Sequence, residues 1–172
     1  MSQKKINKET MPGLDDGNVV LAKYDEPVVD CDGNSYKTIL LGYSQIWMAE
    51  NLKVTHYRDG TEIPNIIDET SWYANKQGKC CDYENDIRNT NVYGKLYNGY
   101  AVCSEKNICP EGWHIPTMDE WMKLISCVGS VGGKLKESGT LHWKDPNAGA
   151  TNDSLYTARP GGCRSSCKSR AN

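Results

Sequence analysis

Only one stretch of this 172-residue chain keeps a helical period. Trp121, Leu124, Ile125 and Val128 fall at i, i+3, i+4 and i+7, which puts them on the buried face of a helix over residues 117–128. Thr117 stands as its N-cap, Glu120 completes a capping box, and Gly129 supplies the stop. Elsewhere the apolar residues come in short runs separated by Gly, Asn, Asp and Pro, the pattern of short strands and long loops. The fold class expected is α+β: a small antiparallel sheet, one or two helices, and prominent irregular structure.

The strand signals cluster early. Val28 and Val29 lead through Asp30-Cys31-Asp32-Gly33-Asn34 into Tyr36-Lys37-Thr38-Ile39-Leu40-Leu41, which reads as strand, tight turn, strand. Gly42-Tyr43-Ser44 is a second turn and Gln45–Met48 a third strand, with Tyr36 and Trp47 expected in one shared core. Residues 1–27 are polar, hold Pro12, Gly13, Gly17 and Pro27, and show no sustained period. They read as a poorly ordered leader or linker with at most a short strand at Val19–Leu21, so the domain proper spans 28–172. Residues 109–116 carry proline at 110 and 116 and Gly112 between them. That segment predicts a rigid, irregular connection that buries Trp113 and Ile115 and leaves His114 to hydrogen-bond locally, away from any ligand.

Composition narrows the function classes. Twenty Lys and Arg against 22 Asp and Glu give a net charge of −2, which argues against a nucleic-acid partner. No run of about 18 apolar residues exists, so no membrane span is expected. Lys4, Lys5 and Lys8 are not followed by an apolar segment, so the N-terminus is no secretory signal. The eight Cys form an even count, which favours an oxidising compartment. Cys103 and Cys109, flanking the polar Ser104–Asn107 turn, are the best local disulfide pair.

The chemical motifs mostly fail on spacing. A calcium loop begun at Asp30 would need Gly and a carboxylate where Ser35 and Leu41 stand. Cys80-Cys81 and Cys163-x-x-x-Cys167 lack the C-x2-C spacing of structural zinc, and His56, His114 and His142 have no partners at ligand spacing. No metal or other cofactor is expected. A Cys nucleophile with a His base stays open as a pairing in space, without a sequence signature to support it.

Asp32-Gly33-Asn34-Ser35-Tyr36-Lys37-Thr38 and Gln45-Ile46-Trp47-Met48-Ala49-Glu50-Asn51-Leu52 resemble the opening of the Fibrobacter succinogenes major paralogous domain. Tyr93-Gly94-Lys95-Leu96-Tyr97-Asn98, Cys109–Thr117 with Glu120-Trp121, Gly133–Lys136, Ala150-Thr151-Asn152 and Pro160-Gly161-Gly162 continue the likeness in order. Together they cover residues 28 to 166. The resemblance implies a C-type-lectin-like or formylglycine-generating-enzyme-like fold, in a secreted or surface-attached bacterial protein. It supplies no catalytic residue to carry over. Family members usually run on past Pro-Gly-Gly into closing strands with a further Cys, so this chain is expected to be truncated and to lack them.

The leading expectation is therefore a non-enzymatic extracellular recognition module that binds a glycan or a protein through its loops. Trp72, Tyr73 and Tyr83 are the candidate ligand-binding rings, since flat aromatic faces stack on sugars. The alternative is a structural or assembly module of the cell surface with no small ligand. A remote third reading is a Cys-dependent oxidase-like enzyme.

Overall fold

The computed structural model describes residues 3–5, 22–41 and 45–164. In chain order these form β1 (Gln3–Lys5), β2 (Ala22–Val29), β3 (Ser35–Leu41), β4 (Gln45–Met48), α1 (Glu69–Tyr73), β5 (Cys80–Asp82), α2 (Thr90–Tyr93), β6 (Lys95–Tyr97), α3 (Gly99–Val102), β7 (Trp113–His114) and α4 (Met118–Cys127). The main sheet is antiparallel with strand order β2-β3-β4-β1-β7, and β5 and β6 make a second, two-stranded sheet. Gln3–Lys5 lies between β4 and β7, and β2 begins at Ala22, so two segments ahead of or across the expected boundary at Val28 belong to the sheet. The Val19–Leu21 strand and the Gly42–Ser44 turn fall outside the described residues.

The first hairpin forms where the Asp-Gly signal put it. Gly33 takes φ +81°, and its N–H donates to the Asp30 carbonyl at 3.0 Å. The Asp30 carboxylate is buried and accepts from the backbone N–H groups of Asp32 and Asn34, the Asn34 amide and the Tyr36 hydroxyl at 2.5 Å. One side chain thus satisfies the whole turn. Pro27 falls in edge strand β2 where the β2–β3 register slips between Asp25 and Val28, a place where a missing N–H costs no ladder bond.

The sheet is buried on both faces, and this corrects the expectation of one core shared by Tyr36 and Trp47. Strand side chains alternate, so Tyr36, Ile46 and Met48 face a cluster with Leu52, Val54, Ile63, Cys80, Ile108 and Trp113. Ile39, Leu41 and Trp47 face the other way onto Leu124, Tyr156 and Trp121. Both rings are enclosed, in different cores.

Helix α4 closes the second core. Its capping box forms as predicted: the Thr117 hydroxyl accepts from the Glu120 N–H, and the Glu120 carboxylate accepts from the Thr117 N–H at 2.8 Å. Leu124 and Val128 are buried and Trp121 packs half-buried on the cluster, but Ile125 is 37% exposed. The buried stripe is thus narrower than the periodicity suggests. Before α4, Trp113 is buried and His114 Nε2 donates to the Glu120 carboxylate at 2.9 Å, a local hydrogen bond as expected. Two corrections apply to that segment: Trp113–His114 pairs with β1 as an edge strand, and Ile115 is exposed. Among the described residues there are, besides α4, three α-helices of four or five residues, more than the one or two anticipated.

Candidate binding site

The start of β3, helix α2 and two loops meet around a cavity of about 270 Å³. Its walls come from the start of β3 with Lys37, the segment after β4 with Glu50, Asn51 and Lys53, α2 with Asn91, and the late loop with Asn152, Thr157 and Arg159. Tyr24 of β2 stands at the same cavity with 59% of its surface exposed.

Each wall is held by backbone bonds that need particular residues. The Asn51 amide donates to the Tyr93 carbonyl at 2.8 Å, and the Lys95 N–H donates to the Leu52 carbonyl at 2.9 Å. Between these bonds Gly94 takes φ +70°, and a Cβ there would lie 2.6 Å from the Leu52 oxygen and 2.7 Å from Asn51 Cβ. Gly94→Ala should therefore lower stability by about 2–4 kcal/mol, from backbone strain plus displacement of the 51–52 backbone. Urea unfolding reads this directly; an unchanged midpoint would show that the two segments do not meet.

The late loop is set by Asn152, at φ 56°, whose side chain accepts from the Thr157 N–H at 2.8 Å and donates to the Thr157 hydroxyl at 3.0 Å. Arg159 is oriented by two bonds: Nε donates to Glu137 Oε1 at 3.0 Å and Nη1 to the Val92 carbonyl at 3.3 Å. Glu137 meets His142 Nδ1 with its other oxygen at 2.7 Å, and the His142 ring packs edge-on against Tyr93. Glu50 accepts from the Lys37 N–H at 2.6 Å. Tyr36, lining the same cavity, donates to Asp30 and accepts from the Lys53 N–H. Burial, reinforced by the Asp30 hydrogen bond, pushes its pKa far above the ordinary range, so it stays a neutral phenol.

Beneath α2 lies a buried ion pair. Lys95 Nζ sits 2.8 Å from Asp82 Oδ1, with side-chain exposures of 4% and 5%, and the Thr90 hydroxyl donates to the same carboxylate oxygen. Burial alone would raise the Asp82 pKa, but the hydrogen bonds from Lys95 and Thr90 and the Lys95 charge outweigh it and hold the carboxyl below its usual value.

The cavity offers amides and hydroxyls that both donate and accept, three cations and, among the described residues, one carboxylate, Glu50. That set suits a small molecule rich in hydroxyl groups. It does not supply the pair of carboxylates that glycoside hydrolysis ordinarily uses.

The predicted rings lie elsewhere. Trp72 is buried at 7% exposure with the Arg164 guanidinium stacked 4.6 Å over it, so it is a core ring and not a platform. Tyr73 and Tyr83 do come together, in a second, more open groove of about 470 Å³ with Glu69, Glu84 and Arg164. Tyr83 packs so closely on Gly162 that a Cβ there would lie 2.3 Å from its ring. Arg164 is spent on the Ile66 and Ile67 carbonyls and on Asn85.

The predicted Cys103–Cys109 disulfide is absent. Cys103 is exposed, Cys109 is buried, and no disulfide joins any two of the seven described Cys. Carbamidomethylation without reductant in denaturant should therefore label all seven described Cys. In the native state Cys80, Cys81 and Cys109 should label slowest, because they are buried and burial pushes the Cys80 pKa up to about 11. Any peptide pair linked through sulfur would contradict this.

One arrangement was not visible in the sequence. Asp32 Oδ1 lies 2.6 Å from His56 Nδ1 and Thr55 donates to Asp32 Oδ2, while Cys31 stands next along the hairpin. The Cys31 thiol donates instead to the His56 and Tyr57 carbonyls. Burial first, then the neighbouring Asp32 and Asp30 charges, raise its pKa, which opposes a thiolate nucleophile. No group of three or more His, Cys, Asp or Glu among the described residues could hold a metal ion, and no described helix is long and apolar enough to cross a membrane.

The polar cavity had a signal in the sequence that went unused. Ser35-Tyr36-Lys37, Ala49-Glu50-Asn51, Gly94 and Asn152, taken from four of the resembling segments, all line it. Most of these residues have no duty in either core.

The architecture defines a mixed α and β domain with small antiparallel sheets, few helices and loops that carry its polar cavity. The model of the Fibrobacter succinogenes major domain matches residues 43–172, and the chain belongs to that family. A search of the curated proteins and one of the solved structures each return no match.

Proposed function

We propose that this chain is a non-enzymatic recognition module of a secreted or surface-attached bacterial protein, and that it binds a glycan in the polar cavity between β3, α2 and the 152–159 loop. The observation that carries the reading is the gathering of Lys37, Glu50, Asn51, Asn91 and Asn152 around one cavity from segments distant in sequence. Glycan sites need many directed hydrogen bonds at fixed spacing, and the interlocked 51–52, 93–95 and 152–157 segments hold these groups rigidly. The C-type-lectin-like fold that the family resemblance implies, with loops on a small sheet carrying the site, would agree with this placement.

Asn91 is exposed and lines the cavity, so Asn91→Ala should leave the melting temperature unchanged. It should weaken glycan binding about threefold to tenfold if one hydrogen bond is lost. A glycan array followed by titration of the best ligand measures this, and an affinity unaffected by the substitution would place the site elsewhere. The burial of Trp72 favours a second reading, a structural module of the cell surface without a small ligand. An array with no ligand for the folded protein supports that reading.

A further inference from the structure

We infer that the sugar taken by this cavity carries a carboxylate, so that the ligand is a uronic-acid residue of an acidic polysaccharide; this rests on the glycan reading above. Two ammonium groups, Lys37 and Lys53, line a cavity whose one carboxylate is Glu50, and the third cation there, Arg159, is ion-paired to Glu137 from outside the cavity lining. The excess is local, since the whole chain carries a net charge of −2. Arg159 has Nε committed to Glu137 and Nη1 to the Val92 carbonyl, which fixes the plane of the guanidinium, and among the described residues Nη2 has no hydrogen-bond partner. The hydrogen bonds of Lys37 and Lys53 in this region run through their backbone N–H groups, to Glu50 and to Tyr36. Neither ammonium forms an ion pair or hydrogen bond among the described residues. Cations gathered in a concave site raise the local concentration of anions and steer them in.

The neutral groups decide which anion. Glu50, which takes the Lys37 N–H on Oε2, can accept from a ligand hydroxyl as well, and the exposed Asn91 amide can both donate to and accept from another. A uronic acid presents hydroxyls and a carboxylate on one pyranose ring. A phosphodiester chain brings repeated charge with few hydroxyl donors for Glu50 to accept from. A cavity of about 270 Å³ suits a single ring, with Tyr24 exposed at its wall to cover a neighbouring sugar.

The test is calorimetric titration of the full chain with short uronate oligomers (galacturonate, mannuronate, guluronate and glucuronate types) and their carboxyl-reduced, neutral counterparts. The acidic form of at least one should bind about tenfold more tightly than its reduced form, the worth of one charge-assisted hydrogen bond. Lys53→Gln and Lys37→Gln should each erode that preference without shifting the melting temperature, and added salt should do the same. Equal binding of acidic and reduced forms, with both Lys variants silent, would overturn the carboxylate and leave the glycan reading standing. No binding of either form by any oligomer would overturn both. A thymidylate oligomer bound as tightly as the best uronate, and lost in the same variants, would overturn the sugar in favour of a general anion site.

Discussion

Asp82→Ala is expected to lower the unfolding free energy by about 3–5 kcal/mol, the range for removing one partner of a buried ion pair. The alanine would leave the Lys95 ammonium, 4% exposed, without its carboxylate, and would strip the Thr90 hydroxyl of its acceptor. The pH dependence has a definite sign. The folded carboxyl of Asp82 titrates below its ordinary value, so its contribution is present above the unfolded pKa near 4 and fades as pH falls through the folded pKa. Wild type should therefore lose stability on the acid side of pH 4 more steeply than Asp82→Ala. Parallel acid limbs for the two proteins would show that the pair is solvated and worth little. The site should suffer along with stability, because Thr90 opens α2 and lines the polar cavity.

Trp47→Ala should cost a similar amount, about 3–5 kcal/mol for a fully buried indole. Trp47 has no exposed surface, and its ring centroid lies 4.9 Å from that of Trp121 and 6.1 Å from that of Tyr156. Its removal opens a cavity between β4 and α4 that rigid neighbours on both sides cannot fill. The indole Nε1 is buried without a hydrogen-bond partner among the described residues, so this ring serves by packing alone. Trp47→Phe keeps an aromatic face and discards the unsatisfied donor, so its loss should be well under half that of alanine. Equal losses for the two variants would mean that the N–H has an acceptor. Trp121→Ala should cost less than Trp47→Ala, since Trp121 is only half-buried.

Local chemistry was legible where a short sequence closes its own hydrogen bonds. The Asp30–Asn34 turn and the Thr117–Glu120 capping box each satisfy backbone groups within a few residues, so residue type at fixed spacing was enough. The placement of Trp113 inward with His114 on Glu120 was legible for the same reason. What lay between distant segments was not. Alternation along β3 and β4 separates Tyr36 from Trp47, and both strands are apolar on both sides, a signal of burial on two faces that the one-core reading passed over. Gln3–Lys5 carries no strand signal and owes its place to the gap between β4 and β7. Trp72 reads as a loop ring whose flat face could stack on a sugar, yet it is buried and Arg164, far along the chain, covers it. The polar cavity draws on residues from Tyr24 to Arg159, and periodicity cannot report such a meeting.

The claim that the polar cavity is where ligand binds is tested most directly by NMR titration of the isotope-labelled chain with the best-binding uronate oligomer. The account predicts saturable shift changes concentrated at Lys37, Glu50, Asn51, Lys53, the Asn91 and Asn152 side-chain amides and Arg159, with Tyr73 and Tyr83 unmoved. Changes centred on the Tyr73 and Tyr83 groove, or spread without saturation over the surface, would contradict it.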